Sequence, residues 1–285
     1  MATIRKAVIP AAGLGKRFLP ITKSVPKEML PIVDMPALQY VAEEAVASGI
    51  TELLIIVNTA KDAVIKYFSP CERDSEIKGD KRLAPIEELL KKTKITFAYQ
   101  EEPAGNGAAI LLAEKFAEGE PFAVLFGDDV IAQKEADLPV TAQLIGAFER
   151  TGKAVVGTQS REPEEAVKYG VIKKGAQIDA QSNEVIYIAE KPEIEKLPSD
   201  QCSLGRFILT PDIFEAIRNA PKQDGEVYLT SALNLLAEKG KVIACDFVGD
   251  RYDLGDKFGF LEANIAYHLR HGIPKEKIID MINKL

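Results

Sequence analysis

Short apolar runs separated by stretches of helical periodicity mark the first half of the chain. The runs at 7–9, 53–57, 95–99, 122–126 and 154–157 consist almost wholly of Val, Ile, Leu, Phe, Tyr and Ala and read as strands, those at 7–9, 53–57 and 122–126 as buried ones. Between them the period lengthens. Residues 36–48 place Leu38, Val41, Ala42 and Ala45 on one helical face, with Pro36 suited to the first position and Gly49 to closing the end. Further helices are expected at 61–68, 108–116 and 141–150, and from about Leu83, where Pro85 can start a turn. Strands alternating with helices predict an α/β fold with a mainly parallel sheet, right-handed crossovers and helices on both faces. Ligands of such sheets sit beyond the carboxyl ends of the strands. The loops at 13–17, 100–107 and 127–129 are expected to meet at that edge.

From Tyr169 the texture changes to shorter, partly alternating strands at 169–172, 184–189 and 204–209. Helices follow at 211–219 and 229–239, a strand at 242–247, and an amphipathic helix over Lys257–Arg270. Pro274 can start a last helix carrying Ile278, Ile279, Met281 and Ile282. No Pro/Gly/Ser-rich linker and no internal repeat divides the chain, so residues 1–285 are expected to form one mixed α/β domain with parts at about 5–160, 161–255 and 256–285. The amphipathic C-terminal helices suggest a homodimer or homotetramer.

Composition narrows the partners. At 46% hydrophobic and 28% charged residues the chain can bury a real core, and its net charge of −7 argues against nucleic acid as the main partner. No signal-type segment or run of membrane-spanning length is apparent. Cys71, Cys202 and Cys245 are isolated and without metal spacing, which suggests a reduced, cytoplasmic setting. The two histidines, His268 and His271, read as helix-end residues.

Candidate chemistry gathers in Ala11-Ala12-Gly13-Leu14-Gly15-Lys16-Arg17-Phe18-Leu19-Pro20, followed by Lys23 and Pro26-Lys27-Glu28-Met29-Leu30-Pro31. Gly13 and Gly15 let the backbone turn tightly and offer bare N–H groups, while Lys16, Arg17, Lys23 and Lys27 supply cations suited to a polyphosphate. The stretch is neither a dinucleotide fingerprint, since Phe18 stands at the third glycine position, nor a P-loop, since its glycines are too close. A tight turn with solvated cations would account for the glycines alone. The extended pattern resembles the signature of the sugar-1-phosphate nucleotidylyltransferases, G-x-G-T-R-x-x-P followed by P-K-x-x-L-P. Its wording Pro-Lys-Glu-Met-Leu-Pro is most similar to the bacterial UTP–glucose-1-phosphate uridylyltransferases.

Gly127-Asp128-Asp129 closes an apolar run. Adjacent carboxylates repel unless a cation sits with them. An acidic solvated turn is one explanation; beside a phosphate loop, Mg²⁺ held by carboxylate, phosphates and water is another.

The resemblance, which spans about Lys6 to His271, implies further roles. It implies a Rossmann-like nucleotide-diphospho-sugar transferase fold of the glycosyltransferase-A kind, with a nucleotide part, a smaller sugar-binding β part and C-terminal helices. It implies transfer of a uridylyl group from UTP to α-D-glucose 1-phosphate, giving UDP-glucose and pyrophosphate, with Mg²⁺ on Asp128 and Asp253. Catalytic roles fall on Arg17, Lys27, Asp128 and Lys191. The nucleotide would lie against Ala11, Ala12, Gly13, Gly15, Lys16, Arg17, Lys27, Gln100, Gly105, Asp128 and Asp129, with Gln100 on the uracil edge. The sugar phosphate would lie against Gly170, Glu190, Lys191, Gly205, Arg206 and Glu226. Three departures stand out: Lys16 replaces Thr, Gly105-Asn106-Gly107-Ala108-Ala109 replaces Gly-Leu-Gly-His-Ala, and Glu226-Val227-Tyr228-Leu229-Thr230-Ser231-Ala232 replaces Glu-Ile-Gln-Leu-Thr-Asp-Ala. They leave open a thymidylyltransferase, another sugar phosphate, or a UDP-glucose-binding paralogue with little activity.

Overall fold

A computed structural model describes residues 4–70, 74–133, 137–223 and 225–285. Cys71 lies outside these. Among the described residues thirteen strands follow in chain order: β1 (Lys6–Pro10), β2 (Pro31–Ile32), β3 (Met35–Pro36), β4 (Glu52–Val57), β5 (Lys94–Tyr99), β6 (Phe122–Leu125), β7 (Asp129–Ala132), β8 (Ala154–Ser160), β9 (Gly170–Gln177), β10 (Ser182–Glu190), β11 (Gln201–Leu209), β12 (Val242–Asp246) and β13 (Asp250–Asp253). Nine of them form one sheet in the order β5-β4-β1-β6-β11-β8-β12-β10-β9, with β9 also touching β11. The pairings β1–β4, β4–β5, β1–β6 and β8–β12 are parallel. Antiparallel pairing enters where β10 and β11 run against the rest.

Strand alternation divides the core between the two faces of the sheet. Ala7, Ile9, Leu53, Ile55 and Val57 face a cluster completed by Leu38, Val41, Ala42 and Ala45 of the helix Ala37–Ala47. Val8, Leu54, Ile56 and Val124 face the other cluster, completed by Ile110, Phe214 and Leu233 from helices Asn106–Leu111, Ile213–Asn219 and Leu229–Ala237. The expected continuous helix at 108–116 is instead two pieces, Asn106–Leu111 and Glu114–Ala117. Leu112 and Ala113 donate to the carbonyls three residues back, and this tighter winding breaks the α-helical ladder.

Sequence periodicity gave no sign of the two-stranded ribbon made by β7 and β13. Asp129 stands opposite Asp253, Val130 opposite Tyr252 and Ile131 opposite Arg251. The ribbon, rather than the main sheet, brings the two acidic segments together. Helices Lys257–Arg270 and Lys275–Ile282 close the chain.

Candidate active site

The signature loop leaves β1 after the Ala11 N–H donates to the Ile56 carbonyl at 2.8 Å. Ala11 is therefore buried and committed to the sheet, and it lines neither cavity described below. Its chain neighbours Pro10 and Ala12 do line the larger one. Gly15 takes the left-handed conformation (φ 63°), and its carbonyl accepts from Thr22 Oγ1 at 2.8 Å. Lys27 folds back over the loop: a Cβ added at Gly13 would sit 3.6 Å from its Cε and 3.7 Å from its Nζ. The stretch is anchored by Phe18, which is buried against Phe260.

Two cavities open at the carboxyl edge of the sheet. The larger, about 620 Å³, is lined among others by Ala12, Gly13, Gly15, Lys16, Lys27, Gln100, Gly105, Asn106 and Asp128. Gly105 takes φ 91°, and a Cβ there would come within 2.5 Å of the Val227 carbonyl, so this bend needs glycine. Gln100 Nε2 donates to the Gly105 carbonyl at 3.2 Å. Glu226, expected beside the sugar phosphate, lines this cavity and not the smaller one. The loop preceding the helix Leu229–Ala237 docks Val227 against Ala104 and Gly107, and that docking carries Glu226 to the larger cavity.

The smaller cavity, about 220 Å³, is lined by four cations (Arg17, Lys168, Lys191, Arg251) and four carboxylates (Asp128, Asp129, Glu190, Asp253), together with Gly170 and Gly205. Arg17 belongs here rather than with the other loop cations, because its Nη1 donates to the Gly255 carbonyl at 2.9 Å. Thr230 Oγ1 donates to Glu190 Oε2 at 2.6 Å, and Lys191 Nζ lies 3.7 Å from Glu190 Oε1 and 5.7 Å from the centre of the Tyr228 ring. Arg206 is absent from both cavities. Its guanidinium is buried in an ion pair with Glu44 at 2.7 Å and donates to the carbonyls of Asp129 and Gly205. Its expected sugar-phosphate contact is thus corrected to support beneath the acidic turn. Arg206 sits on the strand position that faces the core once Gly205 (φ 58°) has turned the backbone.

Asp128 borders both cavities. It pairs with Lys27, and its carbonyl accepts from the Leu254 N–H at 2.8 Å. Burial disfavours the Asp128 anion, but Lys27 outweighs burial and holds its pKa below the usual carboxylate value. Burial likewise opposes charge on Lys27, while Asp128 and Glu28 hold its pKa up. Asp129, expected against the nucleotide, instead pairs with buried Arg251 in the smaller cavity. Burial pushes Asp129 up to about 6 against the pull of Arg251. Asp253 accepts from the Gly255 N–H at 2.8 Å and from the Tyr169 hydroxyl at 2.9 Å.

Among the described residues, no group of three or more His, Cys, Asp or Glu side chains could hold a metal ion unaided. The carboxylates of Asp128 and Asp253 flank Gly255: a Cβ there would lie 3.4 Å from Asp128 Oδ2 and 3.0 Å from Asp253 Oδ1. Two hard oxygen donors beside a phosphate-sized space suit a divalent cation that takes its other ligands from phosphates and water.

Sequence reasoning gave no role to Arg251 or Asn106. Arg251 lies 4.6 Å from the centre of the Tyr169 ring and 3.5 Å from Asp253. Its position two residues before Asp253 on one strand face was a usable signal. Asn106, which borders both cavities, accepts from the Leu229 N–H at 2.8 Å; that partner is 123 residues away and left no local trace.

The family profile for nucleotidyl transferases matches residues 6–269. The chain is 40% identical to UTP–glucose-1-phosphate uridylyltransferase 2 of Staphylococcus saprophyticus subsp. saprophyticus, covering 100% of this chain and 99% of that one. Its fold superimposes on a UDP-glucose pyrophosphorylase complexed with UDP-glucose, with a TM-score of 0.86, 36% identity and coverage of 94% and 99%. The UTP-bound enzyme of the same name from Acinetobacter baumannii gives a TM-score of 0.86 at 29% identity, covering 99% of each chain.

Proposed function

The chain belongs to the nucleotidyl transferase family, and we propose that it transfers the uridylyl group of UTP to α-D-glucose 1-phosphate, giving UDP-glucose and pyrophosphate. The observation that carries this reading is the junction at Asp128 between a glycine-lined cavity with Lys16 and Lys27 and a smaller, charge-dense cavity. A nucleotide triphosphate suits the first and a sugar phosphate the second, so their reacting phosphates would meet at the shared wall.

In the reaction, a phosphate oxygen of the sugar phosphate attacks the α-phosphorus of UTP. The bond from that phosphorus to the oxygen bridging the β-phosphate breaks, and pyrophosphate leaves with the electron pair. The nucleophile is already an anion, so no general base is needed. His268 and His271 are bonded through Nδ1 to helix carbonyls at 2.7 Å and line neither cavity. The step depends on alignment and charge neutralisation. Lys27 and the loop N–H groups hold the departing phosphates, Arg17 borders them from the sugar side, and Lys191 positions the nucleophile. Glu190 and Gly170 line the sugar, while Gln100 and Gly105 face the base. Asp128 and Asp253 would hold Mg²⁺, which would offset the charge of the phosphates. The four cations and four carboxylates of the smaller cavity already balance, so an incoming dianion favours a cation that enters with it.

A pyrophosphate-release assay with UTP and glucose 1-phosphate, with and without Mg²⁺, tests this reading. Release is expected only with both substrates and the metal, and with UTP ahead of dTTP. Binding of UDP-glucose without release would make the chain a binding paralogue; preference for dTTP would overturn the base assignment.

The reading extends to assembly and location. Ile279, Met281, Ile282 and Leu285 leave an apolar face on the C-terminal helix, beside a groove lined by Ile265, Ile273 and Ile278. A second copy of the chain covers this face in a homodimer or homotetramer, which light scattering would detect as a multiple of 31.2 kDa. No helix among the described residues is long and apolar enough to cross a membrane. The supply of UTP places the enzyme in the cytoplasm, and cell fractionation would check that.

A further inference from the structure

The segment after β4, residues 58–61, grips the signature loop at both of its ends. Asn58 Nδ2 donates to the Ala12 carbonyl at 2.6 Å, at the start of the glycine turn. Lys61 pairs with Glu28, at the far end of the same loop. Both members of this pair are almost inaccessible, with side-chain exposures of 5% for Lys61 and 1% for Glu28. The segment is itself stiffened, because the Ala60 N–H donates to Asn58 Oδ1 at 2.8 Å and the Lys61 N–H to the Asn58 carbonyl at 3.1 Å.

Glu28 and Lys27 share the single turn Lys27–Met29 and take different partners, although both border the larger cavity. Glu28 goes inward to Lys61, while Lys27 lies over Gly13 and reaches Asp128. A carboxylate is seldom buried without a partner of opposite charge, and removing that partner leaves it free to turn toward water. Turning Glu28 outward would rotate Lys27 away from the glycine loop.

We propose that Lys61, assisted by Asn58, is a positioning residue for polyphosphate binding: it touches no substrate, and it fixes the direction of Lys27 through Glu28. This deepens the uridylyltransferase reading and rests on it. Lys61 lines neither cavity, so it acts on the polyphosphate through Glu28 and the charges beside it rather than by contact.

The test compares wild type, Lys61→Met, Lys61→Arg, Lys27→Met and the Lys27→Met/Lys61→Met double variant. Dissociation constants for UTP and for inorganic pyrophosphate come from calorimetry, KM values from kinetics, and melts control for folding. Lys61→Met is expected to weaken both polyphosphate ligands by roughly 10- to 100-fold, the scale of a small misplacement of a positioned group. The KM for glucose 1-phosphate should stay at its wild-type value, and Lys61→Arg should recover most of the loss. In the Lys27→Met background, Lys61→Met should cost nothing further, because the group it aims is already gone. If Lys61→Met does not fold, Lys61→Gln, which still leaves Glu28 without its counter-charge but in a more polar site, is read in the same way. A folded variant that binds pyrophosphate like wild type overturns the proposal. So does an equal loss for both substrates, or the same loss with Lys27 absent. A wild type that binds pyrophosphate but not UTP would instead strike the uridylyltransferase reading, and the pyrophosphate comparison would still decide the role of Lys61.

Discussion

The two cavities share Asn106, Phe126 and Asp128, yet they are assembled in opposite ways. The larger is bounded by backbone, with Gly13, Gly15 and Gly105 at the bends that follow two parallel strands and a few cations added from the same loop. The smaller is bounded by side chains from segments far apart in sequence, several of them held by fixed neighbours. Arg251 is held between Asp129 and the Tyr169 ring, Asp253 by Tyr169 and Gly255, and Glu190 by Thr230. A nucleotide offers three phosphates that any set of N–H groups can bind. A sugar phosphate must be aimed, and aiming needs fixed side chains. The first site can therefore tolerate changes of side chain better than the second.

The largest expected effect lies at their junction. Asp128→Asn and Asp253→Asn replace anionic ligands by amides of equal size, and each should slow turnover by about 3 kcal/mol or more, at least two orders of magnitude. Thermal melts should change little, since neither carboxylate is part of the apolar core. The double variant should lose little beyond either single one, because both act on one ion. Strictly additive losses in kcat would separate the two aspartates into different sites and remove the junction.

Next comes a pair of glycine substitutions read by urea unfolding. Gly205 has φ 58°, and a Cβ there would overlap the Asp129 carboxylate. Gly205→Ala should therefore destabilise by about 2–4 kcal/mol through backbone strain and the displaced Asp129–Arg251 pair. At Gly13 the nearest atoms to an added Cβ belong to the flexible end of Lys27, at 3.6 Å or more. Gly13→Ala should cost stability within about 0.5 kcal/mol, an ordinary surface change, while raising the KM for UTP. Equal destabilisation at the two positions would erase the contrast between a backbone-built and a side-chain-built site.

A smaller, mirror-image split is expected from Gln100→Ala and Lys191→Ala. Loss of the Gln100 amide should weaken UTP by about 1–3 kcal/mol, the cost of leaving a base edge unpaired, and leave free pyrophosphate unaffected. Lys191 is half exposed, and its removal should raise the KM for glucose 1-phosphate more than that for UTP. Steady-state kinetics with each substrate varied in turn would show the split, and a common shift in both KM values would break it.

The same contrast governs what could be read from the sequence. The larger cavity was legible because its parts are contiguous: Gly13, Gly15, Lys16 and Lys27 fall within one stretch of loop, and Gln100 and Gly105 within another. The apolar runs also placed β1, β4, β6 and β8, since a strand buried on both faces needs no partner to be recognised, whereas β5, half-buried at the sheet edge, was legible from its β-branched and aromatic residues. The smaller cavity depends on register. Asp129 meets Arg251 and Asp253 only because β7 pairs with β13, and a four-residue ribbon carries no periodic signal. Arg206 misled for the same reason. An arginine beside a glycine looks like an anion ligand, until the left-handed turn at Gly205 sends it under the sheet to Glu44.

The smallest effect sharpens the boundary itself. Glu226 was expected beside the sugar phosphate, yet it lines the larger cavity with Asn106 and Gly105. Its backbone is fixed by reciprocal bonds with Gln223 at 2.9 Å, and Val227 beside it donates to the Ala104 carbonyl at 2.9 Å. A carboxylate on that side faces either a ribose hydroxyl, which it can accept from, or a phosphate, which it repels. Only the hydroxyl makes it useful, and a hydrogen bond of that kind to a charged group contributes about 1.5–3 kcal/mol when buried and less when half exposed, as here. Glu226→Gln keeps an acceptor and should leave KM for UTP nearly unchanged. Glu226→Ala should raise it several-fold, by about 1 kcal/mol. Neither variant should alter the KM for glucose 1-phosphate, and 2′-deoxy-UTP should show a reduced penalty with Glu226→Ala if the 2′-hydroxyl is the partner. A sugar-phosphate KM that rises alone in Glu226→Ala would return Glu226 to the sugar side and move the wall between the two cavities.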